Sequence, residues 1–328
     1  MQMPEKIQIL MRFVSNTIEK TETVPKKGRP YVYSQADMLL FFIVMQLKGI
    51  HQFKAMANYV KYHYAWFNFA AAPSRKTIRR RFIEMPGFIR WLLPCVAREV
   101  SQMDEHLSIR IGFVDKSIFK ALGGIWHKKH KQAGIVPHPS IDTDASWGKS
   151  AYHGRFAARW RFGYGLHLIV NHLRFPLAAC VTTADTPDKE QVGPLLNGLL
   201  PHLLILVGDT GYRAIRFLQQ LWNRLEVFLL TCRPFLTCSK AKQWYNRRIN
   251  RPEAQAIYGK RKPSVEPAFS LIKGLFGLQG QAQLPYRGIA KVQAFLLLTV
   301  ATVQLMMVFN FIFNNNLGDT EHFKAYLL

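Results

Sequence analysis

Carboxylates are scarce in this chain. It has 20 Asp plus Glu against 44 Lys plus Arg in 328 residues, a formal charge of +24 and a pI near 10.1. Cations in that excess repel one another unless phosphates or anionic lipid heads neutralise them, which points to a polyanionic partner, with nucleic acid first. The shortage also gives weight to any Asp inside an apolar strand, because a lone buried carboxylate is costly. Cysteine is scarce as well. Cys95, Cys180, Cys232 and Cys238 form no CxxC pair, so a disulfide-stapled scaffold is excluded and a reduced, cytoplasmic setting is expected. The start, Met1-Gln-Met-Pro-Glu-Lys-Ile, lacks the basic flank, apolar run and cleavage site of a signal peptide. No apolar run reaches the roughly 20 residues of a membrane span. The nearest, Ala294 to Phe309, carries Thr299, Thr302 and Gln304 and reads as a buried core helix, so no membrane partner is expected. Repeats and low-complexity tracts are absent too. What is present is 49% hydrophobic and 13% aromatic residues with 20% charge, the composition of a folded protein with room for two domains.

The first 108 residues read as helical. Ser34-Gln-Ala-Asp37 has capping-box spacing before an apolar run to Leu47, and Gly49 offers a stop. A second amphipathic stretch runs from Phe53 to Trp66. A third starts at Ser74, carries Arg75, Lys76, Arg79, Arg80 and Arg81, and is expected to end at Pro86. Three short helices with a basic last one resemble a helix-turn-helix module, with Arg79 and Arg80 as DNA contacts. A solvated cationic face on an ordinary bundle is the alternative.

From residue 109 the period changes. Strands are expected over 109–115, 161–170, 175–183, 202–207 and 226–231, with helices over 188–200 and 212–224 and again from Glu266. The stretch from Lys116 to about Gly148 reads as loop. This order, three strands followed by alternating helices and strands, matches a ribonuclease H-like α/β fold with a mixed sheet. The expected organisation is therefore a helical, DNA-binding part over 1–108 and a ribonuclease H-like catalytic part over 109–328, with a basic insertion at about 232–262 and C-terminal helices.

Three acids stand in unusual places. Asp115 follows Ile111-Gly-Phe-Val114, Asp209 follows Leu203-Leu-Ile-Leu-Val207-Gly208, and Glu266 precedes Pro267 at an expected helix start. An Asp at the end of an apolar strand must be paired, hydrogen-bonded or bound to a cation. Converging carboxylates repel until divalent cations neutralise them, and oxygen donors without an organised Cys or His set favour Mg²⁺ or Mn²⁺. Two such ions can serve phosphoryl transfer, which fits a chain expected to hold a phosphodiester. Beside this stands the plainer reading that Asp115 and Asp209 are turn formers and that Glu266 pairs with Lys273 two helical turns on.

Gly-Phe-Val-Asp115-Lys-Ser-Ile, Val-Gly208-Asp209-Thr-Gly-Tyr212 and Val265-Glu266-Pro-Ala-Phe-Ser-Leu-Ile-Lys273 resemble the three acid-bearing blocks of the DDE transposases of bacterial insertion sequences. Asp142-Thr-Asp144-Ala-Ser-Trp-Gly148, Phe162-Gly-Tyr-Gly-Leu-His167 and Thr182-Thr-Ala-Asp-Thr-Pro-Asp188 resemble intervening blocks in the same order, over about 109–310. One branch of that family has Tyr-x2-Arg-x3-Glu-x6-Lys around its last acid. Here Tyr258 and Arg261 are followed by four residues before Glu266, so Arg261 or Lys262 matches the Arg. The resemblance implies that Asp115, Asp209 and Glu266 hold the metal ions, Mg²⁺ or Mn²⁺, and that Tyr258, Arg261, Lys262 and Lys273 lie near DNA. It further implies cleavage of double-stranded DNA at element ends, transfer of the freed 3′ hydroxyl to target DNA, and a dimer on DNA. A nuclease of the same fold without joining and an inactive DNA-binding protein remain the alternatives.

Two further features are polar. Residues 240–262 carry eight Lys and Arg, Arg247 and Arg248 among them, against Glu253, with Trp244 and Tyr245 interleaved, as in a groove that binds phosphates and stacks bases. The loop holding His127, His130, His138 and His153 has no nearby Cys and lacks the spacing of a zinc site; it reads as DNA-facing.

Overall fold

A computed structural model describes residues 2–21, 32–149, 160–231, 234–236, 239–280 and 282–328. His153, Cys232 and Cys238 lie outside the described residues. The chain begins with α1 (Glu5–Thr21), α2 (Gln35–Leu47), α3 (Phe53–His63) and α4 (Arg75–Met103). Ser34 starts α2, its Oγ accepting the Asp37 N–H at 2.9 Å, and Ser74 starts α4, its Oγ accepting the Thr77 N–H at 3.1 Å. These are the caps that the sequence predicts. Gly49, at φ +67°, turns the chain out of α2.

The third helix differs from expectation. It does not stop at Pro86 but continues through Pro86 and Pro94 to Met103. Each proline removes one backbone hydrogen bond, but both are buried, and α4 packs along the sheet and the long C-terminal helix, which outweighs that local loss. The basic run is also split by this packing. Arg75, Lys76, Arg79 and Arg80 are exposed, whereas Arg81 is turned inward, donating to Gln35 Oε1 at 2.8 Å and to the Ser34 carbonyl at 3.4 Å.

The remaining elements are β1 (Ile111–Lys120), α5 (Lys128–Gln132), β2 (Ser146–Lys149), β3 (Trp160–Val170), β4 (Pro176–Thr183), α6 (Val192–Leu196), β5 (Ile205–Val207), α7 (Ile215–Leu225), β6 (Phe228–Leu230), α8 (Lys240–Ile249), α9 (Pro252–Gly259), α10 (Arg261–Leu275), α11 (Ile289–Ile312) and α12 (Thr320–Leu327). The main sheet runs β4-β3-β1-β5-β6. β3 is antiparallel to β1 and β4, while β5 is parallel to β1 and β6 to β5. β2 extends it along the first residues of β3. That order and those directions make the ribonuclease H-like sheet that the sequence predicts.

β1 runs to Lys120, five residues past the expected end at Asp115, because its second half pairs with β3 from Asp115↔Leu168 to Lys120↔Gly163. The basic insertion is helical, forming α8 and α9. α11, the apolar helix that the sequence places in the core, lies against α4, β4 and α2 and is buried along most of its length. One apolar core extends from Ile7 of α1 through the sheet to Leu327 of α12.

Candidate active site

Register brings the first two acids together. β1 pairs in parallel with β5 at Ile111↔Ile205, Gly112↔Leu206 and Phe113↔Val207, and there the pairing ends. Asp115 and Asp209 each lie two residues beyond the last pair, where β5 leaves the sheet. In α/β sheets ligands gather at that carboxyl end. Apolar residues on both strands bury the approach, and the carboxylates stand at its mouth. Their charges act on each other: Asp209 is among the groups that push the Asp115 carboxyl up.

Both aspartates are anchored. Asp115 Oδ1 accepts its neighbour Lys116 N–H at 2.8 Å, and Oδ2 accepts from Arg261 Nη2 at 2.7 Å. Asp209 Oδ1 accepts the Gly211 N–H at 2.8 Å. The guanidinium of Arg261, at the first residue of α10, thus holds the cationic place on Asp115. α10 crosses the face of β1 that carries Asp115, Ser117 and Phe119, and near its end the Lys273 ammonium lies 5.4 Å over the Phe119 ring. Burial and the charge of Arg161 hold Lys273 below the usual lysine range.

Glu266 is not gathered with the aspartates. It stands on the exposed side of α10, six residues into the helix and not at its start, and among the described residues it has no ion pair with Lys273. Nor do any three His, Cys, Asp or Glu side chains among the described residues form a metal-binding group. Asp115 and Asp209 thus lie just past the ends of one parallel strand pair, and Glu266 forms no group with them among the described residues.

Asp188, the first residue of the helix expected over 188–200, is at the site. Its Oδ2 and Asp209 Oδ1 lie 3.8 Å and 2.9 Å from the point where a Cβ on Gly211 would stand, so both carboxylates crowd one small residue. Lys116 holds Asp188 there. Its Nζ donates to the carbonyls of Ala184 at 3.0 Å and Thr186 at 2.7 Å and pairs with Asp188 Oδ1 at 3.1 Å, using all three N–H groups of the ammonium. The lysine stem needs Gly165 below it, where a Cβ would come 2.7 Å from Cε. Tyr212, wholly buried, lays its ring against Gly208, and its hydroxyl has no hydrogen-bond partner among the described residues. Burial first and then the charges of Asp188, Asp115 and Asp209 push its pKa up. The sequence signals for these three were weak: a Lys beside the first acid, a Tyr three residues after the second, and an Asp after a strand.

The raised Asp115 carboxyl has a measurable consequence. Burial pushes it up to about 6 against the opposing pull of Arg261 and the Lys116 N–H. The folded protein then keeps a proton that the unfolded chain has released, so this group's contribution to stability falls as pH rises from about 4 to 6. In cation-free buffer, the melting temperature of the wild type relative to Asp115→Asn is expected to drop across that window and level off above it. A flat difference would show that Asp115 is not desolvated.

Asp142, Asp144 and His167 of the intervening blocks are structural. Asp142 Oδ2 accepts from the Tyr164 hydroxyl at 2.8 Å and the Gly288 N–H at 3.0 Å, and Asp144 Oδ2 accepts the Ile289 N–H at 2.9 Å. Together they cap the start of α11 with negative charge. His167, neutral and held at about 3 by burial and the charge of Lys116, shares a hydrogen bond with Thr182 Oγ1 at 2.9 Å.

The other candidate DNA contacts divide. Arg79, Arg80, Arg247 and Lys262 are exposed; Tyr258 is half-buried. The Arg248 guanidinium is stacked 3.8 Å over Trp244. Tyr245 corrects the stacking expectation: it is a core anchor, 1% exposed, its hydroxyl accepting the Thr231 N–H at 2.9 Å and donating to the Leu229 carbonyl at 3.0 Å.

Over residues 108–305 the chain matches the family described as Transposase DDE domain. It belongs to that family. Among solved structures it is similar to a Mos1 transposase paired-end complex with left transposon end, at 11% identity over 82% of this chain and 87% of that one, TM-score 0.22. It is also similar to a pre-cleavage Mos1 transpososome, at 11% identity over 93% and 98%, TM-score 0.22. No curated protein sequence matches the chain.

Proposed function

We propose that this transposase-family protein cuts phosphodiesters at the ends of a DNA element and joins the freed 3′ hydroxyl to target DNA. The observation that carries the reading is the placement of Asp115 and Asp209 side by side at the diverging ends of β1 and β5. Oxygen donors of that kind fit hard divalent cations, and Asp115 already holds a guanidinium where a metal cation would sit. Asp115 and Asp209, joined by Glu266 once DNA draws Arg261 away, would hold Mg²⁺ or Mn²⁺, two ions in the full site. When bound, such ions neutralise phosphate charge and make the attacking oxygen more acidic. The chain's own residues do the rest. Asp115 and Asp209 are preset by backbone N–H groups, so little reorganisation is needed when a phosphate arrives. Arg261, once released to a phosphate oxygen, fixes the strand beside the acids. Hydrolysis and strand transfer are both displacements at phosphorus, so one site serves both.

In this reading residues 1–108 and the α8–α9 insertion bind the element ends, with Arg79, Arg80, Arg247 and Lys262 contacting phosphates, and two copies act together on DNA. A strand-transfer assay with a pre-cut 3′ end and Mg²⁺ tests the function. Joined product is expected. Cleavage of intact ends without joining would favour a nuclease, and neither reaction with DNA binding intact would favour a protein that only binds.

A further inference from the structure

Two buried hydrogen-bond donors beside the acids have no partner among the described residues: the Tyr212 hydroxyl and Arg261 Nε. Buried polar groups are normally paired, because each one left without a partner costs stability. Both donors lie within the field of Asp115. Arg261 donates to Asp115 Oδ2 through Nη2, and among the described residues that is its whole grip, one N–H where the fork of an arginine can give two. Tyr212 stands within the charges of Asp188, Asp115, Asp209 and Arg261.

The tyrosine ring is fixed in place. It is wholly buried and held against Gly208, where a Cβ would come 2.8 Å from Cδ2 and 3.1 Å from Cγ. Gly208 follows Val207, the last β5 residue paired with β1, so the ring lies where Asp115 and Asp209 leave the sheet. The carboxylate is the part that can turn. Asp115 Oδ1 is tied to the Lys116 N–H at 2.8 Å, and Oδ2 is tied through Arg261, so loss of the arginine leaves Oδ2 to swing about the bond that remains.

We propose that Tyr212 is a positioning residue for the acid pair: when a DNA phosphate takes Arg261, the tyrosine hydroxyl donates to the freed Asp115 Oδ2. The exchange keeps the alignment of the carboxylate and changes its charge balance. A guanidinium neutralises the carboxylate it holds, whereas a phenol hydroxyl fixes the same oxygen and leaves its negative charge for a cation. Arg261 on Asp115 is then a closed arrangement and Tyr212 on Asp115 an open one. In the closed form the hydroxyl stays unpaired because its acceptor is taken. The exchange rests on the acids being a cation-binding, DNA-cutting centre, and it adds what keeps Asp115 in line once its resting partner has gone.

Tyr212→Phe removes one oxygen and keeps the ring. In cation-free buffer it is expected to melt at the wild-type temperature or about 2 °C above it, since the closed form gains nothing from that hydroxyl. The main reading is Mn²⁺ binding to the full chain without DNA, followed by electron paramagnetic resonance, in a double-mutant cycle with Arg261→Ala. With Arg261 present, Tyr212→Phe should change Mn²⁺ affinity by less than about twofold. In the Arg261→Ala background, which mimics release, it should weaken affinity by about tenfold, the worth of one hydrogen bond to a charged group. A tyrosine that only fills space gives the same factor in both backgrounds. Tyrosine labelled with ¹³C at Cζ gives a second reading without metal. The Tyr212 resonance, identified by its loss in Tyr212→Phe, should move in Arg261→Ala and return when Asp115→Ala is added. Equal factors in the cycle, a Tyr212→Phe protein that melts several degrees below wild type, or an unmoved resonance would overturn the proposal. Asp115→Asn judges the underlying reading separately. If that variant binds Mn²⁺ as wild type does, the acid centre fails, while the resonance still decides whether Tyr212 takes the place of Arg261.

Discussion

Asp115→Asn and Asp209→Asn are each expected to lower DNA cleavage by about a thousandfold, about 4 kcal/mol in barrier, while leaving DNA affinity within about twofold. Each change keeps the shape of the side chain and removes one negative charge from a site where two face each other at the end of a parallel strand pair. A structural role predicts something else. Asp115 is desolvated and, among the described residues, Asp209 bonds its local turn, so neutralising either should not unfold the protein. In the absence of divalent cations Asp115→Asn should even melt higher at neutral pH, because a carboxyl pushed up to about 6 is charged there at a cost. Loss of activity together with equal or greater stability is the signature of residues kept for chemistry. Parallel loss of both would reduce the aspartates to turn formers.

Glu266→Gln carries the second large effect. Glu266 is exposed on α10, away from the aspartates, and Arg261 of the same helix occupies Asp115. If DNA phosphates draw Arg261 off, one polar tie between α10 and β1 is released, and a shift of α10 would bring Glu266 inward. Cleavage by Glu266→Gln should then fall by about a hundredfold or more with binding retained. The competing carboxylate is Asp188, already beside Asp209 at Gly211. It is a weaker candidate because Lys116 matches its charge and two carbonyls fix that lysine in place. Assaying Asp188→Asn in parallel decides between them: an inert Glu266→Gln with an inactive Asp188→Asn would assign the third carboxylate to Asp188.

How far the sequence could be read depended on whether the signal was local. Asp115 and Asp209 stood out because each closes an apolar run, and the same runs set the register that makes them neighbours. Serine caps at Ser34 and Ser74 were legible for the same reason. Features imposed by distant packing were not. α4 passes through two prolines because the sheet and α11 hold it, and Arg81 leaves the basic face to bond Gln35. β1 extends beyond Asp115 because β3 pairs with it, although Lys116 and Ser117 interrupt the apolar pattern. Tyr245 sits in a polar, basic helix yet reaches the backbone of β6. The Lys116 clamp reaches residues 68 to 72 positions away by three contacts, each invisible until the strands are side by side.

Asp115 and Asp209 are expected to share a hard cation. A crystal of the protein with a DNA end, grown with Mn²⁺, tests it through the anomalous difference map. A peak bonded to oxygens of both aspartates at about 2.1 Å is expected, with Arg261 displaced from Asp115. A map with Mn²⁺ bound only elsewhere, and the Arg261 to Asp115 pair still closed at 2.7 Å, would contradict it.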